Sequence, residues 1–373
     1  MTPLWTLGPL NVTPYSLMIL LGALAGTALA WRKKQVRPLL PAVILGALLL
    51  GHICWVIFCP YDLEASEGKG YMILRLWEGG YTIYGALLGG ALGALIAARV
   101  SGIKWIDVLD ALTPSACAVI VFARIGEVFT GEGIGREAEM EWTHFFPLSV
   151  CTYQDEYFQE WRYLIWFWEA LAALVLLLIL LKREKKALPG HQTALFLTVL
   201  GTTQILLEQM RRDYYLRLIV FVRVNQLAAL ATLITVLVVL LIRVKPAFPK
   251  TFWCLMTLVL ASLAVMASEF VFDKFEYTPW LYISMALAAA ACAVMLWVWK
   301  KKKGLLPAIL ICAATAVLLI AYSMKNWEET QLEPMEDMIR YIILYGTMVV
   351  DLVAIGLAIR LNMQEESGKL RAA

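Results

Sequence analysis

Charge is scarce in this chain. Of its 373 residues, 16% are Asp, Glu, Lys or Arg, and the formal net charge is +3. A soluble domain carries about 25% charged residues. Disorder needs a polar, strongly charged sequence, so it is excluded. Cysteine is sparse as well. The seven cysteines are scattered, with no CxxC pair and no Cys/His metal spacing, which excludes a disulfide scaffold and a zinc module. Neither a metal nor a cofactor is expected, and no nucleic acid is expected among the partners. Hydrophobic residues, by contrast, make up 61% of the chain. A water-soluble globule could not hide that much apolar surface, so the chain is a polytopic membrane protein.

A bilayer core of about 30 Å takes about 20 apolar residues per helix. Eleven such runs are present, at roughly Ser16–Trp31, Leu39–Phe58, Tyr81–Ala98, Ile106–Ile125, Leu164–Leu181, Thr193–Leu207, Asn225–Ile242, Phe252–Phe270, Trp280–Trp299, Leu305–Tyr322 and Tyr341–Arg360. Basic residues favour the cytoplasmic side of a membrane. With the N-terminus outside, the larger share of the Lys and Arg falls inside, including Arg32, Lys33, Lys34, Lys182, Arg183 and Lys300 to Lys303. The first run has Ala28-Leu29-Ala30 near its end, as a cleaved signal would. Yet no positive charge precedes it and Arg32-Lys33-Lys34 follow, which fits an uncleaved span. The expected fold is all-α: about eleven transmembrane helices, N-terminus outside and C-terminus cytoplasmic. A small extracytoplasmic head, rich in aromatics and charge, lies over residues 126–163, between the fourth and fifth helices. Pro246 and Pro249 mark a boundary, giving a seven-helix membrane core over 1–245 and a four-helix extension over 246–373.

Charges in or at the rim of a membrane are costly and usually have a purpose. Arg124 closes the fourth run and is followed at once by Glu127, Glu132 and Arg136; Glu208, Arg211 and Arg212 close the sixth. One reading is internal pairing, Arg124 with Glu127 or Glu208 with Arg212 at helical spacing. The other is an anion site. Arginine presents a rigid donor fork that fits phosphate, and in a bilayer the obvious phosphate is a lipid headgroup. His52 is a titratable group inside the second run, whereas His144 and His191 read as surface residues. Gly85, Gly89 and Gly93 form a GxxxGxxxG stripe, best read as close helix packing.

At these residues the sequence resembles the prolipoprotein diacylglyceryl transferase family. Leu7-Gly8-Pro9-Leu10 and Tyr15-Ser16-Leu17-Met18 look like the family's entry into its first span. Trp77-Glu78-Gly79-Gly80-Tyr81-Thr82-Ile83-Tyr84-Gly85 is similar to its W-E-G-G-M-S-F-H-G stretch. Arg124, Ile125, Gly126, Gly131, Glu132, Gly135 and Arg136 match the signature R-I-G-N-F-x-N-G-E-x-x-G-R, Glu208-Gln209-Met210-Arg211 resembles E-F-F-R, and Asn225-Gln226 resembles a later G-Q. The likeness covers about residues 1–245.

The resemblance implies transfer of the diacylglyceryl group of phosphatidylglycerol to the lipobox cysteine of a prolipoprotein signal peptide, in the bilayer of the bacterial cytoplasmic membrane. It implies that Arg124 and Arg211 hold the phosphate and that Glu132 and Arg136 organise the signature loop. Tyr15 would line the lipid cavity, with Glu127, His52, Arg212 and Gln226 as further lipid-binding positions. The departures are specific. Tyr84 stands where the family has its proton-accepting histidine, Glu127 replaces the signature asparagine, and His52 replaces an arginine. Tyrosine titrates near 10 and histidine near 6.5, so Tyr84 is the poorer base at neutrality. Two alternatives follow: a diverged paralogue that binds lipid or lipoprotein or transfers another group, and a lipid or amphiphile transporter.

Overall fold

In two of the helices, Pro14–Trp31 and Ile83–Val100, every buried residue is glycine or alanine, while many leucines and isoleucines face outward. The computed structural model describes residues 4–7, 10–58, 76, 80–138, 141–155, 158–184, 189–208, 211, 217–219 and 222–244. The chain forms two compact units, Met1–Leu230 and Ala231–Ala373; in the second, the described residues are the rest of one helix, through Val244. The last four apolar runs and the extension 246–373 lie outside the described residues.

Seven helices occupy the first seven apolar runs: α1 (Pro14–Trp31), α2 (Leu40–Phe58), α3 (Ile83–Val100), α4 (Trp105–Gly126), α5 (Ile165–Arg183), α6 (His191–Glu208) and α7 (Val224–Val244). Among the described residues, α1 to α5 are long and apolar enough to cross a membrane. Their starts are written locally. Thr13 and Ser16 exchange backbone and side-chain hydrogen bonds in a capping box before α1, with Pro14 in the first turn. Thr82 accepts the Gly85 N–H at 3.2 Å to cap α3.

The glycine stripe does what its spacing suggests. A Cβ on Gly89 would lie 2.0 Å from the Gly46 carbonyl oxygen, and one on Gly93 would lie 2.3 Å from that of Ala42. Backbones of α2 and α3 therefore touch, which only glycine permits. Gly22 and Gly26 bring α1 comparably near Val119 and Ser115 of α4. A second core joins α4, α5 and α6 through Cys117, Ile120, Leu176, Leu180, Phe196 and Leu200. Leu24, Leu45, Leu88 and Ile96 point outward instead, as a hydrocarbon solvent requires.

Asp110 of α4 fastens the N-terminal end of α6. Its carboxylate accepts the backbone N–H of Gly190, the N–H of Thr193 at 2.8 Å and the Thr193 hydroxyl. A capping carboxylate from a distant helix thus satisfies donors that α6 leaves open. Asp110→Ala is expected to destabilise the protein by about 1–2 kcal/mol, the worth of a lost cap, read as a lower melting temperature in detergent. An unchanged melting temperature would sink the capping role.

The helical class holds, with an addition. The protein is mostly helical, yet short strands join the helices. A hairpin, β1 (Trp5–Leu7) with β2 (Leu10–Val12), precedes α1. Between α4 and α5, β3 (Ile134–Glu137), β4 (Ser149–Gln154) and β5 (Gln159–Leu164) form an antiparallel sheet in the order β3-β5-β4. β-Branched and aromatic residues such as Val150, Thr152, Trp161 and Tyr163 suit a pleated surface. Another small ribbon, β6 (Arg217–Ile219) with β7 (Val222–Arg223), precedes α7. His144 belongs to the head's packing: its ring stacks on Trp161 at 4.9 Å and its Nε2 lies 2.6 Å from the Ala138 carbonyl. Phe146 meets Phe167 edge-on at 5.3 Å, next to Trp166 and Trp168 at the start of α5. Such aromatics favour the membrane–water interface.

Candidate functional site

Four charges meet where α4 ends, α5 begins and the chain leaves α6. Arg124 stands in the last turn of α4, and Glu127 opens the 3-10 turn Glu127–Phe129 that follows. Glu169 comes from the first turns of α5. Arg211 follows α6, held by an isolated antiparallel bridge between its backbone and Gly135 of β3. All four are buried: Arg211 is 1% exposed, Glu169 3%, Glu127 6% and Arg124 9%.

Each carboxylate serves both arginines. Arg124 Nη1 donates to Glu127 Oε1, and Arg211 Nη2 donates to Glu127 Oε2 at 3.1 Å. Glu169 Oε2 takes Arg124 Nε at 2.9 Å and Arg211 Nη1 at 2.8 Å. The other Glu169 oxygen accepts from Gln204 Nε2 at 2.6 Å. Two positive and two negative charges thus balance in a closed ring. Buried ions are tolerated when paired and hydrogen-bonded in this way. Glu208, also buried, accepts from Asn225 Nδ2 at 3.2 Å one step further along.

The signature loop is shaped to fit this ring. Gly133 has φ of +68°, and a Cβ there would stand 2.3 Å from Glu127 Oε2, so both backbone and space demand glycine. Its carbonyl accepts the Trp166 N–H at 3.1 Å, tying the loop to α5. Thr130 accepts the Glu132 N–H at 3.1 Å and donates to the Glu127 carbonyl. Glu132 and Arg136 themselves are exposed on this loop and on β3.

Tyr15 of α1 is half-buried against Gly126, whose added Cβ would meet its ring at 3.0 Å, and it feels the charges of Glu127, Glu132, Arg124 and Arg211. Tyr84, in the first turn of α3, feels those of Glu208, Arg124 and Glu169. Its hydroxyl is buried with no hydrogen-bond partner among the described residues. The structure therefore brings Tyr15, Tyr84, Arg124, Glu127 and Arg211 together. His52 packs at the approach to α3: the ring lies near Trp55 and Tyr81, with Nδ1 3.0 Å from the Gly80 carbonyl. Arg212 and the side chain of Gln226 lie outside the described residues.

Glu169 and Gln204 escaped the sequence reading. Glu169 is the lone acidic residue in the run from Leu164 to Leu181, and an acid in an apolar span is itself a signal. Between α4, α5 and α6 a small cavity, lined by Cys117, Leu176, Phe196 and Leu200 among others, reaches Arg124, Glu169 and Gln204. Among the described residues no group of three or more His, Cys, Asp or Glu could hold a metal ion.

Helices long and apolar enough to cross a membrane, with a buried arginine pair at their ends, define a helical membrane protein. The chain belongs to the prolipoprotein diacylglyceryl transferase family, whose profile matches residues 3–242. It is similar to the phosphatidylglycerol–prolipoprotein diacylglyceryl transferase of Nitratidesulfovibrio vulgaris (strain Hildenborough), with 34% identity over 152 residues, 38% of this chain and 57% of that protein. The enzymes of the same name from Tropheryma whipplei (strain Twist) and Vibrio vulnificus (strain CMCP6) each share 30% identity with it. Those matches cover 55% and 56% of this chain, and 79% and 77% of the relatives. The chain spans little more than half the length of the first relatives it matches, 57% in each of three.

Proposed function

We propose that this protein transfers the diacylglyceryl group of phosphatidylglycerol to the lipobox cysteine of a prolipoprotein signal peptide, in a bacterial cytoplasmic membrane, with its N-terminus and head on the outer side. The observation that carries this reading is the buried pair Arg124 and Arg211, joined through Glu127 and Glu169. The lipid phosphate is the anion these two forks suit. The peptide thiolate attacks the glyceryl carbon, a C–S bond forms, and the C–O bond to phosphate breaks. Glycerol phosphate leaves with the electron pair, its charge met by the arginines.

The peptide thiol gives up its proton to water before attack in this reading, and Tyr84, whose hydroxyl is protonated at neutrality, donates a hydrogen bond to the reacting anion. The buried Tyr84 hydroxyl has no competing hydrogen bond among the described residues. Tyr15, Glu132 and Arg136 shape the lipid site and its loop; His52, Arg212 and Gln226 remain further lipid-binding positions of the same proposal. The two replacements, Tyr84 for histidine and Glu127 for asparagine, are what would favour a lipid-binding paralogue instead.

The test is a product assay on the purified full chain with phosphatidylglycerol and a lipobox peptide. Mass spectrometry is expected to find a diacylglyceryl adduct on the peptide cysteine, lost in Arg124→Ala and reduced about 10–100-fold in Tyr84→Phe, the usual worth of a hydrogen bond to a charged group. No adduct from the parent protein, with lipid still bound through Arg124, would overturn the transferase in favour of the paralogue.

A further inference from the structure

The ring of charges around the arginines is already balanced. Glu127 takes one contact from each guanidinium and Glu169 takes the others. A phosphodiester that settles on Arg124 and Arg211 adds a negative charge to a buried cluster whose described members, Glu208 included, show no positive excess. Each guanidinium has five N–H donors to share, but the added charge loosens the hold of the arginines on one of the two carboxylates.

Glu169 is the better anchored of the two. It stands within a long helix, and its second oxygen is held by Gln204 at 2.6 Å. Glu127 stands on a three-residue 3-10 turn between α4 and the signature loop, and both of its oxygens are spent on the arginines. Glu127 is therefore the carboxylate that yields. Once displaced, it is a buried anion beside a newly arrived anion, and it needs a cation of its own. A glyceryl headgroup offers only neutral hydroxyls. An aminoethyl headgroup offers an ammonium two carbons from its phosphate, close enough to reach the neighbouring carboxylate while the phosphate stays on the arginines.

We propose that Glu127 gives this site an ammonium seat, so that it accepts a zwitterionic phospholipid of the phosphatidylethanolamine type in addition to phosphatidylglycerol. The phosphate lies on Arg124 and Arg211, and the ammonium on Glu127. The inference rests on the phosphate-clamp reading above and extends the donor class. Where the signature carries asparagine, as in the resemblance noted at this position, no such seat exists, because a carboxamide has no charge to pair.

Two measurements on the full chain in nanodiscs separate the outcomes. Native mass spectrometry reads the relative affinity for phosphatidylethanolamine and phosphatidylglycerol, and the lipobox-peptide assay reads product from each lipid. Glu127→Asn and Glu127→Gln are compared with the parent protein, with melting temperatures as a check that both variants fold. The parent is expected to bind the ethanolamine lipid at least as tightly as the glycerol lipid. Both variants are expected to shift that ratio tenfold or more towards phosphatidylglycerol. An identical ratio in parent and variants, or no ethanolamine lipid bound by the parent, overturns the ammonium seat. If phosphatidylglycerol still yields adduct in that case, the transferase reading stands without it. If the ratio shifts but neither lipid yields adduct, the seat stands and the transferase reading falls.

Discussion

Arg211→Ala is expected to abolish adduct formation, a loss of about 10²–10³-fold or more by analogy with removing one preorganised donor from a developing anion. The effect goes beyond one missing hydrogen bond. Arg211 reaches both Glu127 and Glu169 from a position 1% exposed. Without it, two buried carboxylates share Arg124 alone, and phosphate would join them as a third anion. Arg211→Lys separates charge from geometry. A lysine ammonium restores the charge but not the fork that spans two carboxylates. It is expected to recover thermal stability more than activity. Parental turnover in Arg211→Ala would remove the phosphate clamp from the mechanism.

Glu169→Ala is expected to be the most destabilising single change in the site, by about 3–5 kcal/mol, the cost of breaking a buried ionic network by removing one partner. The loss falls on three groups. Arg124 Nε, Arg211 Nη1 and Gln204 Nε2 all donate to this one carboxylate. Glu169→Gln keeps an acceptor of the same shape, so it is expected to recover part of the stability while leaving the cluster with an excess positive charge. That excess predicts tighter binding of phosphatidylglycerol in Glu169→Gln than in the parent. Thermal unfolding in detergent with a lipid-binding titration reads both. Equal stability of parent and Glu169→Ala would show that the ring is not a structural unit.

Hydropathy made seven helices legible to within a few residues, because a bilayer enforces length and composition together. The glycine stripe was legible for a similar reason, since only contact of backbones explains three small residues in register. The pairing of Arg124 with Glu127 was visible as neighbours one helical turn apart. The suggested pairing of Glu208 with Arg212 falls on a residue outside the described set; within that set the Asn225 amide donates to Glu208. The joining of Arg211 to Glu127 across 84 residues of sequence was beyond any local rule, for it depends on how Gly135 receives the chain leaving α6. Glu169 was hidden because its neighbours Trp166, Phe167 and Trp168 read as the apolar start of a span. The strands of the head were missed where β5 runs directly into α5 at Leu164 and Ile165, so that strand and helix merge into one apolar stretch.

The contact between α2 and α3 restricts how a lipid gets in. Their backbones meet at Gly46, Gly89 and Gly93 with no side chain between them, and the Thr82 N–H reaches across to the Gly51 carbonyl at 3.0 Å. A seam this close has no slack for a passing hydrocarbon chain, and parting it would forfeit its packing along several turns. These two helices therefore behave as one rigid plank. Traffic of acyl chains and signal helices between bilayer and site is left to the other flanks of the bundle, and a cysteine crosslink across this seam, between Gly51 and Ala86, whose Cβ positions lie 3.3 Å apart, is expected to leave turnover intact.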